Sequence, residues 1–157
     1  MTKALFFDID GTLVSFETHA IPASTIEALT IAHEKGIKIF IATGRPKAII
    51  NNLADIQDRG LIDGYITMNG AYCFVGDEVI YKSAIPAGEV RALAQVCEQK
   101  GYPCIFVGEH TISVCQPNKL VHDIFYDFLH VDEIPVKTFE EAVQEEIFQM
   151  TPFVTVE

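Results

Sequence analysis

Residues 4–9, ALFFDI, form a short apolar run closed by carboxylates, the pattern of a first strand buried on both faces of a parallel sheet. Ser24 then stands three residues before Glu27 at capping-box spacing, and Ile26, Leu29, Ile31 and Ala32 supply apolar positions before Gly36 offers a stop. This predicts a helix of about three turns. The run IKIFIA over 37–42 repeats the buried-strand pattern. Residues 46–53 predict a second helix with Pro46 in its first turn, where a missing N–H is harmless. A third strand is expected over 65–68, after Gly64. Strand, helix, strand, helix, strand implies an α/β fold with a parallel, right-handed sheet, because each return to the same edge needs a crossover helix.

Beyond Asn69-Gly70 the pattern changes. AYCFV and EVIYKSAI, joined by Gly76-Asp77, read as a hairpin. A helix follows over 87–100, then two strands in PCIFVGEHTISVCQ around a turn near 108–110. A helix over 118–129, a linker through Pro135, a short helix over 139–143 and a strand from Ile147 complete the chain. The expected organisation is half of a doubly wound, Rossmann-like domain over the first 70 or so residues with an α+β module attached to it.

With 157 residues, 49% of them hydrophobic, the chain can bury a real core. Its 22 acidic against 11 basic residues give a formal charge of −11 spread along the sequence, which would repel a phosphate-coated polymer and argues against nucleic acid as a partner. Met1-Thr2-Lys3 leads straight into a strand without the order of segments a signal peptide needs, and no apolar run approaches membrane-spanning length. A soluble, cytoplasmic protein with no membrane partner is expected. Cysteines 73, 97, 104 and 115 form no CxxC pair, and most sit in apolar runs as small buried hydrophobes. The five histidines are scattered and read as surface or helix residues.

The chemistry lies where strands end, since open α/β sheets bind ligands beyond the carboxyl ends of their strands. The first strand ends Asp8-Ile9-Asp10-Gly11-Thr12, two carboxylates that can reach one small polar volume. They suit a nucleophile paired with an acid/base, or a shared metal. Thr43-Gly44-Arg45-Pro46 offers a hydroxyl, an open N–H, a guanidinium and a helix start, all favouring phosphate. Arg45 is open to two readings, contact with the substrate's leaving group or a salt bridge to a core acid. Asn69 after the third strand either binds substrate or belongs to turn chemistry.

DIDGTL at 8–13, ATGR at 42–45 and NGA at 69–71 together resemble the haloacid dehalogenase superfamily, in particular its Cof-like sugar-phosphatase branch with a large α/β cap. The resemblance implies that Asp8 attacks phosphorus to form an aspartyl phosphate, and that Asp10 protonates the leaving alcohol and later deprotonates water. It implies Mg²⁺ held by the Asp8 carboxylate and the Asp10 carbonyl, with the backbone around Ile9 together with Thr43 and Gly44 on the phosphoryl oxygens, and Arg45 and Asn69 as further substrate contacts. A small phosphorylated metabolite, a sugar phosphate above all, is the implied substrate. The family also uses a lysine and a GDxxND-like segment that this sequence lacks: Gly76-Asp77 has no following Asn-Asp, and Lys119 and Lys137 fall in the expected cap. A truncated chain, self-association through an exposed sheet edge and a catalytically inactive fragment are therefore also expectations.

Overall fold

The computed structural model describes residues 2–154, which divide into two compact units at the Lys82–Ser83 junction. The first holds β1 (Ala4–Phe7), β2 (Lys38–Ala42), β3 (Gly64–Thr67), β4 (Tyr72–Val75) and β5 (Glu78–Lys82) in one sheet of order β1-β2-β3-β4-β5. The first three strands run parallel; β4 and β5 return antiparallel through the Gly76-Asp77 turn. The α/β class read from the sequence is the observed one.

Helices α1 (Ala23–Glu34) and α2 (Ala54–Gln57) follow β1 and β2. Leu29 of α1 and Ile56 of α2 join Ile39 and Ile41 of β2 in one buried cluster. Burying a side chain of this size contributes roughly 1.5–3 kcal/mol. The opposite face is less covered: Phe6 stacks on Phe40 with ring centroids 5.0 Å apart and stays 57% exposed. β1 is an edge strand with Ala4, Leu5 and Phe6 exposed, which corrects the expectation of burial on both faces. β2 alternates instead of being buried throughout, because its helix-covered face carries Ile39 and Ile41 only.

Two helix expectations need correction. Pro22 caps α1 in place of the Ser24–Glu27 box: its carbonyl accepts from Thr25 N–H at 2.9 Å and Ile26 N–H at 3.1 Å, so Ser24 and Glu27 already lie inside the first turn. Gly36 does end the helix, at φ +76. The helix expected over 46–53 is a single 3₁₀ turn, Lys47–Ile49, with α2 starting only at Ala54. The Ile49 carbonyl that would carry a helix onward accepts instead from Arg45 Nη1 at 3.0 Å, and Ile50 is extended.

The second unit packs α3 (Ala87–Lys100) on an antiparallel sheet of β6 (Cys104–Gly108), β7 (Ile112–Cys115) and β8 (Ile147–Pro152), in the order β7-β6-β8. Val90, Ala94 and Cys97, at helical spacing, join Phe106 and Ile147 in its core. Asn118 Oδ1 caps α4 (Lys119–His122) by accepting from Leu120 N–H and Val121 N–H at 3.0 and 3.2 Å. The chain then changes to a π-helical segment, Asp123–Phe128, so the helix expected over 118–129 has two hydrogen-bond registers. Thr138 and Glu141 form a capping box for α5 (Phe139–Ala142). No helix among the described residues is long and apolar enough to cross a membrane.

Candidate active site

The turn after β1 is gathered onto one carbonyl. Ile9 O accepts from Thr12, Leu13 and Val14 N–H at 3.3, 3.1 and 2.9 Å, and Gly11 N–H donates to Val14 O at 2.9 Å. Gly11 is required twice over, by its φ of +77 and because a Cβ would run into the Phe16 ring. The Ile9 side chain is fully buried, so only its main chain can face a ligand. Asp8 is exposed, and its carboxylate makes no hydrogen bond with a described residue.

Phe7 is in register with Ile41, so Asp8 and the residues after β2 leave the sheet at the same end, one strand spacing of about 4.8 Å apart. There the loop after β2 is stitched to the end of β3. Thr43 N–H donates to Ile66 O at 2.9 Å, Asn69 N–H to Thr43 O at 3.2 Å and Met68 N–H to Arg45 O at 3.3 Å. Thr43 is buried, and its Oγ1 accepts from Arg45 N–H at 3.1 Å. Met68 and Asn69 both take the left-handed conformation, φ 51 and 55, a strain of about 1–3 kcal/mol each of the kind stored at functional sites. No hydrogen bond runs from the N–H groups of Ile9, Asp10 or Gly44 to a described residue, which leaves three donors near the strand ends.

Arg45 and Asp10 form the most developed contact here. Arg45 Nε donates to Asp10 Oδ2 and Nη2 to Oδ1, both at 2.8 Å, a two-pronged pair. Nη1 donates to Ile49 O at 3.0 Å and to Asn51 Oδ1 at 3.4 Å. The arginine is 8% exposed and the aspartate side chain 30%. Of the two readings open for Arg45, the structure shows the salt bridge, and its acid is Asp10. Asn51 was not singled out from sequence, and no local signal marks it.

The donors fit a hard divalent cation as far as this chain supplies them. The Asp8 carboxylate and the Asp10 main-chain carbonyl are oxygen groups two residues apart, and neither accepts a hydrogen bond from a described residue. A second group, in the other unit, does not read the same way. His122, Asp123 and Asp127 bring one ligand atom each within 4.8 Å of one another. Asp123 is held by Lys119 at 2.6 Å and Asp127 by His122 at 3.5 Å, and His122 and Asp127 are largely solvated, so they form surface ion pairs.

Residues 5–157 match the family described as haloacid dehalogenase-like hydrolase. The chain is 77% identical to the solved structure of the HAD subclass IIB sugar phosphatase BT4131, with a TM-score of 0.94 over 98% of this chain and 59% of that one. It is 34% identical to BT1666 from Bacteroides thetaiotaomicron, studied among phosphatases of the haloalkanoate enzyme superfamily, with a TM-score of 0.75 over 94% of this chain and 54% of the other. A curated protein of Bacillus subtilis (strain 168), named "Putative phosphatase YkrA", is 29% identical over 157 residues, 97% of this chain and 57% of that protein. The chain therefore spans less than two thirds of the length of each of these relatives.

Proposed function

This chain belongs to the haloacid dehalogenase-like hydrolase family, and we propose that it is a Mg²⁺-dependent phosphohydrolase acting on a small phosphorylated metabolite, a sugar phosphate in the first instance, through an aspartyl phosphate on Asp8. The observation that carries this reading is the exposed Asp8 carboxylate, without a hydrogen-bond partner among the described residues, at the same sheet end as the Thr43-Gly44 loop. The likeness to BT4131, a sugar phosphatase by name, supports the substrate class.

In this reading an Asp8 oxygen forms a bond to phosphorus as the bond to the leaving alcohol breaks, and Asp10 gives that alcohol its proton. Water then attacks phosphorus, Asp10 takes its proton, and Asp8 departs as a carboxylate with release of inorganic phosphate. The N–H groups of Ile9, Asp10 and Gly44 with the Thr43 hydroxyl hold the phosphoryl oxygens, and Asn69 borders the substrate. Mg²⁺, when bound to the Asp8 carboxylate and the Asp10 carbonyl, offsets the repulsion between carboxylate and phosphate. The reading assigns residues 1–80 to the core that carries the chemistry and 81–157 to a cap. The edge strand β1, with Leu5 and Phe6 exposed, supports self-association as the means of covering that edge.

The test is hydrolysis of p-nitrophenyl phosphate with and without Mg²⁺ by this chain and by Asp8→Asn. Metal-dependent turnover lost in the variant is the expected result. Turnover no greater than that of the variant would favour the reading of a catalytically inactive fragment.

A further inference from the structure

We infer that Arg45 is a positioning residue: it acts through Asp10, holding that carboxylate as the proton acceptor for the water that releases phosphate from Asp8. The inference rests on the proposed function above and concerns its second step. Each donor nitrogen of the Arg45 side chain is already engaged, Nε and Nη2 on the two Asp10 oxygens and Nη1 on Ile49 O and Asn51 Oδ1. A guanidinium in this state has no fork left for a phosphoryl group. What it does instead is fix the plane of the Asp10 carboxylate, since two parallel N–H···O bonds remove rotation about the last torsion.

The clamp is itself anchored. Arg45 is almost fully buried, and its Nη1 ties it to the 3₁₀ turn Lys47–Ile49. Asp10 keeps 30% of its side chain exposed, so the edge of the carboxylate not taken by Arg45 is open to water. Held in one plane by the fork, that edge keeps a fixed orientation for the second step. In that step the water oxygen bonds to phosphorus, its proton passes to the free edge of Asp10, and the bond from phosphorus to the Asp8 oxygen breaks with its electron pair staying on Asp8. Phosphate leaves, and the proton on Asp10 remains for the alcohol of the next turnover.

Two steps with different demands allow a clean test. p-Nitrophenolate leaves without a proton, so transfer of its phosphoryl group to Asp8 does not need Asp10, whereas hydrolysis of the aspartyl phosphate does. The experiment is pre-steady-state and steady-state hydrolysis of p-nitrophenyl phosphate by the unaltered chain, Arg45→Ala and Arg45→Lys, with and without added guanidinium ion. Expected for Arg45→Ala is a burst of one p-nitrophenolate per chain, kcat lower by about 10–100-fold, less than the roughly 100–10,000-fold a general base itself supplies because Asp10 remains, KM lower in step, and partial recovery of kcat with guanidinium. Arg45→Lys keeps the charge without the fork and shows the same split; it is the variant read should Arg45→Ala fail to fold. A fall in kcat/KM as large as that in kcat, with no burst, would place Arg45 on the phosphate and overturn the inference alone. No turnover by the unaltered chain would remove the base step and overturn the inference together with the proposed function.

Discussion

Asn69 lies over Gly44: a Cβ on Gly44 would stand 3.1 Å from Asn69 Oδ1 and 3.5 Å from Nδ2. The φ of Gly44 is not in the left-handed region, so the glycine is there for the close approach and not for backbone freedom. The approach is set by backbone, because Asn69 N–H donates to Thr43 O and Met68 N–H to Arg45 O on either side of Gly44. Gly44→Ala is therefore expected to push the exposed Asn69 amide aside by a few tenths of an ångström, at a cost of about 0.5–1.5 kcal/mol, that of a side chain held off its rotamer. Asn69→Ala removes the obstruction and should recover part of that loss in the double variant. Urea melts of the four proteins give the coupling; strict additivity would mean that the two side chains do not share this space.

Asp63 ties the start of β3 to β2. Its carboxylate accepts from Lys38 Nζ at 2.6 Å and from Ile39 N–H at 2.8 Å. Burial by itself raises the Asp63 pKa, but the Lys38 ammonium and the Ile39 N–H more than offset this, and the group ends below its ordinary value. A depressed folded pKa means the unfolded chain binds the proton first on acidification. The stability from Asp63 is thus fully present well above the unfolded pKa of about 3.9 and is lost as pH falls through that value towards the folded one. Thermal melts of the unaltered chain and Asp63→Asn should differ most at neutral pH and converge only as pH falls below about 4 towards the folded value. A gap that widens on acidification would contradict this linkage.

The second unit buries Cys97, Cys104 and Cys115, while Cys73 in the first is half-buried. Cys104 and Cys115 face each other across β6 and β7. Burial, with Cys97 and Cys115 nearby, pushes the Cys104 thiol far up; burial also pushes Cys115 up to about 11, against the opposing influence of Lys137. Only the thiolate reacts with a disulfide reagent, so these groups should be inert in the folded protein. At pH 8 a chromogenic disulfide should label Cys73 first, and the other three only at the rate the second unit opens. Rapid labelling of Cys104 in the native protein would show that this core is not closed.

What could be read from the sequence was what local chemistry decides. Helix α3 fell on its expected residues because Val90, Ala94 and Cys97 repeat at one helical spacing and Gly101 takes the left-handed cap. The Gly76-Asp77 hairpin was equally legible, since the turn residues sit between two β-prone runs. Asp8, Asp10, Thr43 and Asn69 were each readable as strand-end groups. The pairing of Asp10 with Arg45 was not, because it joins residues 35 apart and depends on β1 lying beside β2. The same guanidinium explains the lost helix after Pro46, whose Ile49 carbonyl it takes. The exposure of Phe6 also lay outside local pattern, because an apolar run does not say which strand stands at a sheet edge.

Removing the charge on Asp8 should reverse the metal dependence of phosphate binding. In the unaltered chain the Asp8 carboxylate, without a hydrogen-bond partner among the described residues, meets an incoming phosphate dianion with like-charge repulsion, so phosphate alone should bind poorly. Added together, Mg²⁺ and inorganic phosphate should stabilise the first unit, residues 1–82, by about 1.4 kcal/mol at tenfold excess over the dissociation constant, a rise of roughly 6–11 °C in Tm for a unit of this size. In Asp8→Asn the amide keeps the shape of the side chain, loses the charge and supplies an N–H donor. Phosphate alone should then raise Tm, and Mg²⁺ should add little, since the one anionic group this chain offers it has become a neutral amide. Differential scanning fluorimetry with Mg²⁺, phosphate and both, on the two proteins, gives the comparison without requiring turnover. Equal shifts in both proteins would mean that phosphate binds away from Asp8, and the site at the ends of β1 and β2 would have to be abandoned as the phosphate site.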